Sequence, residues 1–258
     1  SSLQAGNYVL TPMSIAKLAT TFSVGKVDNE ITLTFTEGQT INDLADYLLK
    51  QKIITDKKEF IALAKTDFFK NDYEFLSNYS ADSLEGFLFP DTYLIYKDAL
   101  PEDVIKKMLD NFQKKITSAM LTEITAQGKD LYSILKMASI LEKEVKTEND
   151  MKIVSGILWK RLSVDMALQV DSSLKYIIGG GNPSLTYDEL KIDSPYNTYK
   201  YKGLPPTPIS NPGLSAIRAA IYPKDSDYWF YLSDQKTKET IFSKTAEEHE
   251  TAVNQYLR

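Results

Sequence analysis

Apolar residues recur along this chain at helical spacing in several places. Ile41, Leu44, Ala45 and Leu48 fall at i, i+3, i+4 and i+7, which puts them on one helix face. Thr40 and Asp43 form a capping-box pair at its start. Asp56 and Glu59 open a further helix with Phe60, Leu63 and Ala64 inward. Val104, Met108 and Phe112 mark another helix, and Asn149 or Asp150 is expected to cap one bearing Val154, Ile157, Leu158 and Leu162. Leu214 to Ile221 predicts a short helix that Pro223 stops. Tyr228–Leu232 and Thr240–Phe242 read as a hairpin, and Thr245 with Glu248 boxes a last helix.

The first 80 residues contain two similar short units, each a strand, a turn, a hydroxyl cap and an amphipathic helix. One runs from Tyr8–Thr11 through Pro12 to Ser14–Leu18, the other from Leu33–Thr36 through Gly38 to Thr40–Leu44. Residues 70 to 84 are polar and read as a linker. The fold class is therefore α+β. A small N-terminal module over 1–80 is expected to precede a larger mixed α+β domain over 84–258.

Composition narrows the chemistry. With 43% hydrophobic and 25% charged residues the chain is an ordinary globular protein, and its net charge of −5 gives no basic field for nucleic acid. No apolar run approaches the roughly 18 to 20 residues that cross a bilayer. The start, Ser1-Ser2-Leu3-Gln4, has no initiator Met, so a trimmed ectodomain or soluble piece is expected. There is no cysteine, which excludes disulfides and thiolate chemistry. The single histidine, His249, sits among Glu247, Glu248 and Glu250 and is expected to be solvated, which leaves little room for a Ser-His-Asp triad or a histidine metal site. Neither metal nor cofactor is expected, and carboxylates are the remaining candidates.

The segment Ser133–Val145 is an amphipathic helix with acids where its apolar stripe ends. Glu144 continues the stripe of Met137, Ile140 and Leu141, whereas Glu142 lies about 200° away around the helix. The two cannot face one cleft, and the pattern alone barely separates them. A carboxylic acid against apolar packing has a raised pKa, as an acid that protonates a departing sugar oxygen needs. The loop Ser194–Tyr199 and the stretch Gly203–Gly213 supply Tyr rings and Asn amides that can face sugars, with Pro205, Pro206 and Pro208 stiffening the chain. Gln169, Tyr196, Asn197, Tyr199 and Asn211 are the candidate sugar contacts. Asp171 is the candidate second carboxylate of a hydrolase, or else a helix cap. Glu85 reads equally as a functional acid or as a buried one bonded to backbone N–H groups. The glycines at 179–181 read as a flexible turn, since the Lys-Ser/Thr ending of a phosphate loop is missing.

Five blocks in order resemble the endolytic murein transglycosylases, the YceG-like family: Glu85–Tyr93, Met137–Glu144, Leu168–Asp171, Tyr196–Tyr199, and Gly203–Pro206 with Ile209–Gly213. Thr207 stands where the family has a small residue. Ile31 to Ile54 resembles LysM-like glycan-binding modules, with a ligand-free packing module as the alternative. The family resemblance implies that Glu144 is the catalytic acid. It implies cleavage within peptidoglycan strands, between N-acetylmuramic acid and N-acetylglucosamine, with a 1,6-anhydro end as product. It also implies a membrane-anchored enzyme with its catalytic part outside the cytoplasm, ending the growth of nascent strands with penicillin-binding proteins as partners. A non-catalytic glycan-binding protein and a two-carboxylate hydrolase are the alternatives.

Overall fold

The computed structural model describes residues 14–24, 30–77, 79, 82–179, 185–234, 236–237 and 239–256. The strand expected at Tyr8–Thr11 with its turn at Pro12 lies outside them, as do Gly180 and Gly181. The fold is α+β, with helices dominating and two small antiparallel sheets among the described residues. In chain order come α1 (Ile15–Val24), β1 (Glu30–Thr34), α2 (Ile41–Lys50), α3 (Lys57–Leu63) and α4 (Thr66–Phe69). Then follow β2 (Thr92–Tyr96), α5 (Pro101–Lys115), α6 (Ser118–Ala126), α7 (Leu131–Glu144) and α8 (Glu148–Ser163). The chain ends with α9 (Asp171–Ile178), α10 (Leu214–Ile221), β3 (Phe230–Ser233), β4 (Thr240–Ser243) and α11 (Ala246–Tyr256).

Strand β1 pairs antiparallel with β2, Glu30 opposite Tyr96 and Thr34 opposite Thr92. The N-terminal segment is thus joined by its sheet to residues beyond the expected boundary at 80–84, and one apolar core runs across that boundary. The Thr40–Asp43 capping box is formed, and α2 buries Ile41, Leu44, Ala45 and Leu48 as the spacing predicts. The expected linker over 70–84 is instead packed: Tyr73, Leu76 and Leu84 are buried. Tyr73 donates to Asp110 at 2.8 Å, and the Phe75 ring packs on Phe87 and Phe112. Lys70, Asn71, Asp72, Glu74, Ser77 and Asp82 face water, while aromatic residues spaced between them anchor the segment.

Helix α7 is the centre of the larger part. Leu131, Ile134, Leu135, Met137, Ala138, Ile140 and Leu141 are buried, and α6, α8, α9 and α10 all pack on it. The cap of α8 is Thr147, whose hydroxyl accepts from Asp150 N–H at 3.1 Å, rather than Asn149 or Asp150. A Thr three residues before the acid can reach forward to the third N–H of the helix, which the acid's own side chain cannot. The hairpin is present, with Phe230 opposite Ser243 and Ser233 opposite Thr240. Helix α8 meets the segment after α10 at Gly156, where a Cβ would lie 2.2 Å from the Lys224 carbonyl oxygen. Backbone cannot yield as a side-chain tip can. Gly156→Ala is therefore expected to lower stability by about 2–3 kcal/mol, the upper range for overpacking. A thermal melt within a degree of the parent's would contradict this contact.

Candidate active site

Glu144 is the last residue of α7, at the negative end of the helix dipole, and is half-buried. Its side chain leaves the helix toward the first turn of α9. There Ser172 N–H, a first-turn donor with no partner inside its own helix, donates to Oε1 at 3.3 Å. The Tyr231 hydroxyl, from β3, donates to Oε2 at 3.3 Å. The Glu144 carboxyl is held above the usual carboxylate range. Burial is the largest cause and the nearby Asp171 charge adds to it, while Ser172 and Tyr231 pull the other way.

Glu142 points elsewhere, as the helix geometry requires. Its Oε2 accepts from Gly213 N–H at 2.9 Å, at the start of α10, and burial raises its carboxyl too. Lys143 donates to the Gly38 carbonyl at 2.8 Å. Of the three residues that end α7, Glu142 and Lys143 tie loops to the helix, while Glu144, with Lys143 beside it, lines a cleft.

That cleft encloses about 1450 Å³. It exceeds the roughly 300–1,000 Å³ of small-molecule pockets and suits an oligomer. It is lined by Asn42, Asp43 and Asp46 of α2, by Asp171, Lys175 and Tyr176 of α9, and by Tyr231, His249 and Val253 of the C-terminal elements.

The lead-in to α9 is set by the loop after it. Gln169 N–H donates to the Thr198 carbonyl at 3.1 Å, and Val170 N–H to the Thr198 hydroxyl at 3.0 Å. Gln169 is held at φ +53, the left-handed region that non-glycine residues rarely enter, and its side chain lines the cleft. Asp171 is the first residue of α9. Its Oδ1 accepts from the Tyr199 hydroxyl at 2.6 Å and its Oδ2 lies 3.8 Å from Lys175 Nζ. Arg161, only 4% exposed, joins the two elements that serve Glu144. It donates to the Leu168 carbonyl at 2.7 Å and through two nitrogens to the Trp229 carbonyl at 3.0 and 2.7 Å.

The structure therefore brings together Glu144, Gln169, Asp171 and Tyr199 in one cleft. It does not bring Asn197, Asn211 or Tyr196 there. Asn197 is fully buried, with its amide on the Leu190 and Ile192 carbonyls at 2.9 Å and its oxygen accepting from Tyr199 N–H. Asn211 is equally occupied: its oxygen accepts from Gly86 and Leu88 N–H, and its amide donates to the Gln39 carbonyl and to Glu85. Buried amides whose NH₂ and oxygen are both engaged inside the protein belong to the frame rather than to the cleft surface. Tyr196 bonds Thr207 at 2.7 Å and backs Tyr176 from behind, ring centroids 5.5 Å apart.

Glu85 proves to be a buried acid of the same frame. Ile41 N–H, the Tyr176 hydroxyl and the Asn211 amide donate to it, and burial pushes its carboxyl up to about 8. The neighbouring Gly86 has φ +89, and a Cβ there would strike Pro208 at 2.6 Å, so the two signature blocks interlock at a glycine.

His249 departs from expectation. It is half-buried, lines the cleft and stacks on Phe230 with ring centroids 5.2 Å apart. The acidic neighbours suggest a solvated face, but His249, Ala252, Val253 and Tyr256 fall at i, i+3, i+4 and i+7, which marks the inner stripe. Tyr231 was also absent from the sequence-derived candidates. Its place in a hairpin gives no hint of a partner 87 residues away. Among the described residues, no group of three or more His, Asp or Glu side chains is arranged to hold a metal ion.

A model of the YceG-like family matches residues 1–255. The chain is 32% identical over 269 residues to the endolytic murein transglycosylase of Bacillus subtilis (strain 168), a match spanning 100% of this chain and 74% of that protein. It is 30% identical over 283 residues to the endolytic murein transglycosylase of Streptococcus pneumoniae serotype 2 (strain D39 / NCTC 7466), of which it spans 51%, about half the length. In three dimensions it is similar to a crystal structure of a putative YceG-like protein from Listeria monocytogenes. The TM-score is 0.79 and the identity 35%, covering 97% of this chain and 85% of that one.

Proposed function

The chain belongs to the YceG-like family, and from that membership and the cleft we propose that it is an endolytic murein transglycosylase with Glu144 as its catalytic acid. The observation that carries this reading is the placement of one carboxyl with raised proton affinity in a cleft of about 1450 Å³. Protonated Glu144 donates to the glycosidic oxygen as the bond to muramyl C1 breaks, and the electron pair leaves with that oxygen. The carboxylate so formed takes the proton of the muramyl 6-hydroxyl as its oxygen bonds to C1. The product is a 1,6-anhydro end, no water is consumed, and Glu144 returns to its starting state.

Asp171 is the observation that favours a hydrolase instead, since its charge reaches Glu144. Yet Asp171 already accepts the Tyr199 hydroxyl and pairs with Lys175, which holds it back from attack on C1. Mass spectrometry of products from uncrosslinked glycan strands separates the two. Anhydro ends from the parent, and still anhydro ends from Asp171→Asn at a rate lowered about tenfold or less, fit a positioning role for Asp171. Reducing ends, heavier by one water, would sink the lytic mechanism and make Asp171 the second carboxylate.

The wider setting belongs to the same proposal: the N-terminal α2 wall holds glycan beside the reacting bond, and cleavage ends nascent strands near penicillin-binding proteins, outside the cytoplasm. No helix among the described residues is long and apolar enough to cross a membrane, so an anchor would be a segment other than these helices. Fractionation of cells carrying the full protein tests this; recovery in the cytosol would overturn it.

A further inference from the structure

The two oxygens of Glu144 have different partners, and the difference decides where its proton sits. Oε1 faces Ser172 N–H, a backbone group that can only donate, and the Ser172 hydroxyl beside it also favours the charged form of Glu144. A donor of fixed direction suits a carbonyl-type oxygen, and the hydroxyl oxygen of a carboxylic acid is a poor acceptor. Oε2 faces the Tyr231 hydroxyl, which rotates and can either donate or accept. Tyr231 has its own proton affinity pushed far up by burial and by the Glu144 charge, so it stays a hydroxyl in both states of Glu144.

We propose that the proton exchanged by Glu144 is carried on Oε2, and that Tyr231 is its positioning residue, donating to Oε2 while Glu144 is a carboxylate and accepting from it while Glu144 is an acid. This deepens the lytic reading above and rests on it. The reaction uses both states of one carboxyl in turn, and a partner able to reverse its hydrogen bond serves both without rearrangement of the backbone. Ser172 fixes the orientation, so the proton leaves from and returns to the same oxygen.

The other charged and titratable groups near this pair come from every element packed against it. Asp171 of α9 raises the affinity of Glu144 for its proton. Arg161 of α8 acts on both Tyr231 and Tyr199. Tyr199 is turned toward Asp171, and burial and Arg161 lower the affinity of His249 of α11 for a proton.

The sign follows from the direction of donation. A hydroxyl donating to the carboxylate favours the charged form, so its loss raises the proton affinity of Glu144 further. The first step needs the acid, and the rate of anhydro-end formation falls as pH rises through its titration. In Tyr231→Phe the high-pH limb is expected to move up by about half to one pH unit, with KM changed less than about twofold. Replacing Tyr231 by 3-fluorotyrosine keeps the ring and makes the hydroxyl a stronger donor, so that limb is expected to move down. A ¹³C titration of the Glu144 carboxyl, assigned by its absence in Glu144→Gln, reads the same shifts without turnover.

Limbs and carboxyl titrations that superpose for all three proteins would overturn the role of Tyr231 while leaving the lytic reading intact. A parent that forms no anhydro ends is a different result and removes the lytic reading itself. The carboxyl titration still decides whether Tyr231 governs the proton on Glu144.

Discussion

Glu144→Gln is expected to lower the rate of strand cleavage by about 10³-fold, within the range that removal of a general acid produces. Gln has nearly the shape of Glu. Its amide oxygen can accept Ser172 N–H where Oε1 now does, and its NH₂ can donate to the Tyr231 oxygen. The frame should therefore hold, and exchanging a buried acid for a neutral amide removes a group that burial disfavours in its charged form. The variant should melt at or slightly above the parent's temperature near neutral pH and should still retain uncrosslinked strands. Glu142→Gln is the contrast. Its amide oxygen can keep the bond from Gly213 N–H, and the residue does not line the cleft, so cleavage is expected to stay within about threefold of the parent. A Glu144→Gln protein that cleaves at the parent's rate, or a Glu142→Gln protein that does not cleave, would reassign the acid. Binding without cleavage by the parent itself would favour the glycan-binding alternative.

That contrast also marks how far the sequence could be read. Helical spacing establishes that Glu142 and Glu144 diverge, and the structure shows why each direction matters: one meets the start of α10, the other the start of α9. Spacing cannot say which of those places is a cleft, because the answer depends on segments 28 and 87 residues further along. The capping box at Thr40, the stripes of α2 and α7 and the hairpin were legible because each is a local pattern. Strand β2 was not, since its partner β1 lies 58 residues earlier, Thr34 opposite Thr92, and an aromatic signature block covers its start. The segment 70–84 misled for a related reason. Polar residues such as Lys70, Asn71, Asp72 and Glu74 are solvated as loop residues are, but Tyr73 and Leu76 are buried in the core. Amides were read as sugar contacts from their chemistry alone. Whether an amide faces a ligand or its own backbone is decided by burial, which composition does not show for Asn197 or Asn211.

Asn211→Ala is accordingly expected to act on the fold before it acts on sugar. The side chain is 1% exposed and makes four hydrogen bonds to two separate segments, residues 85–88 and Gln39. Its oxygen holds Gly86 and Leu88 N–H at 2.9 and 3.0 Å, and its amide holds the Gln39 carbonyl at 3.0 Å and Glu85 Oε1 at 2.9 Å. Truncation leaves two buried donors without an acceptor and takes a donor from a buried carboxyl. Each orphaned buried group costs about 1–3 kcal/mol, and partial hydration of the vacated space offsets some of it. A net loss of about 3–5 kcal/mol is expected, a large share of the roughly 5–15 kcal/mol that holds a domain folded. At about 2–4 °C per kcal/mol for a chain near this size, the melting temperature should fall by about 10 °C. Activity should fall with it, because Glu85 also receives Ile41 N–H at the start of α2 and the hydroxyl of Tyr176, which lines the cleft. Well below its melting temperature, the folded fraction of the variant should still bind strands. Should Asn211→Ala melt with the parent and lose only strand binding, Asn211 would be a sugar contact after all, and its four internal hydrogen bonds would have to open when glycan binds.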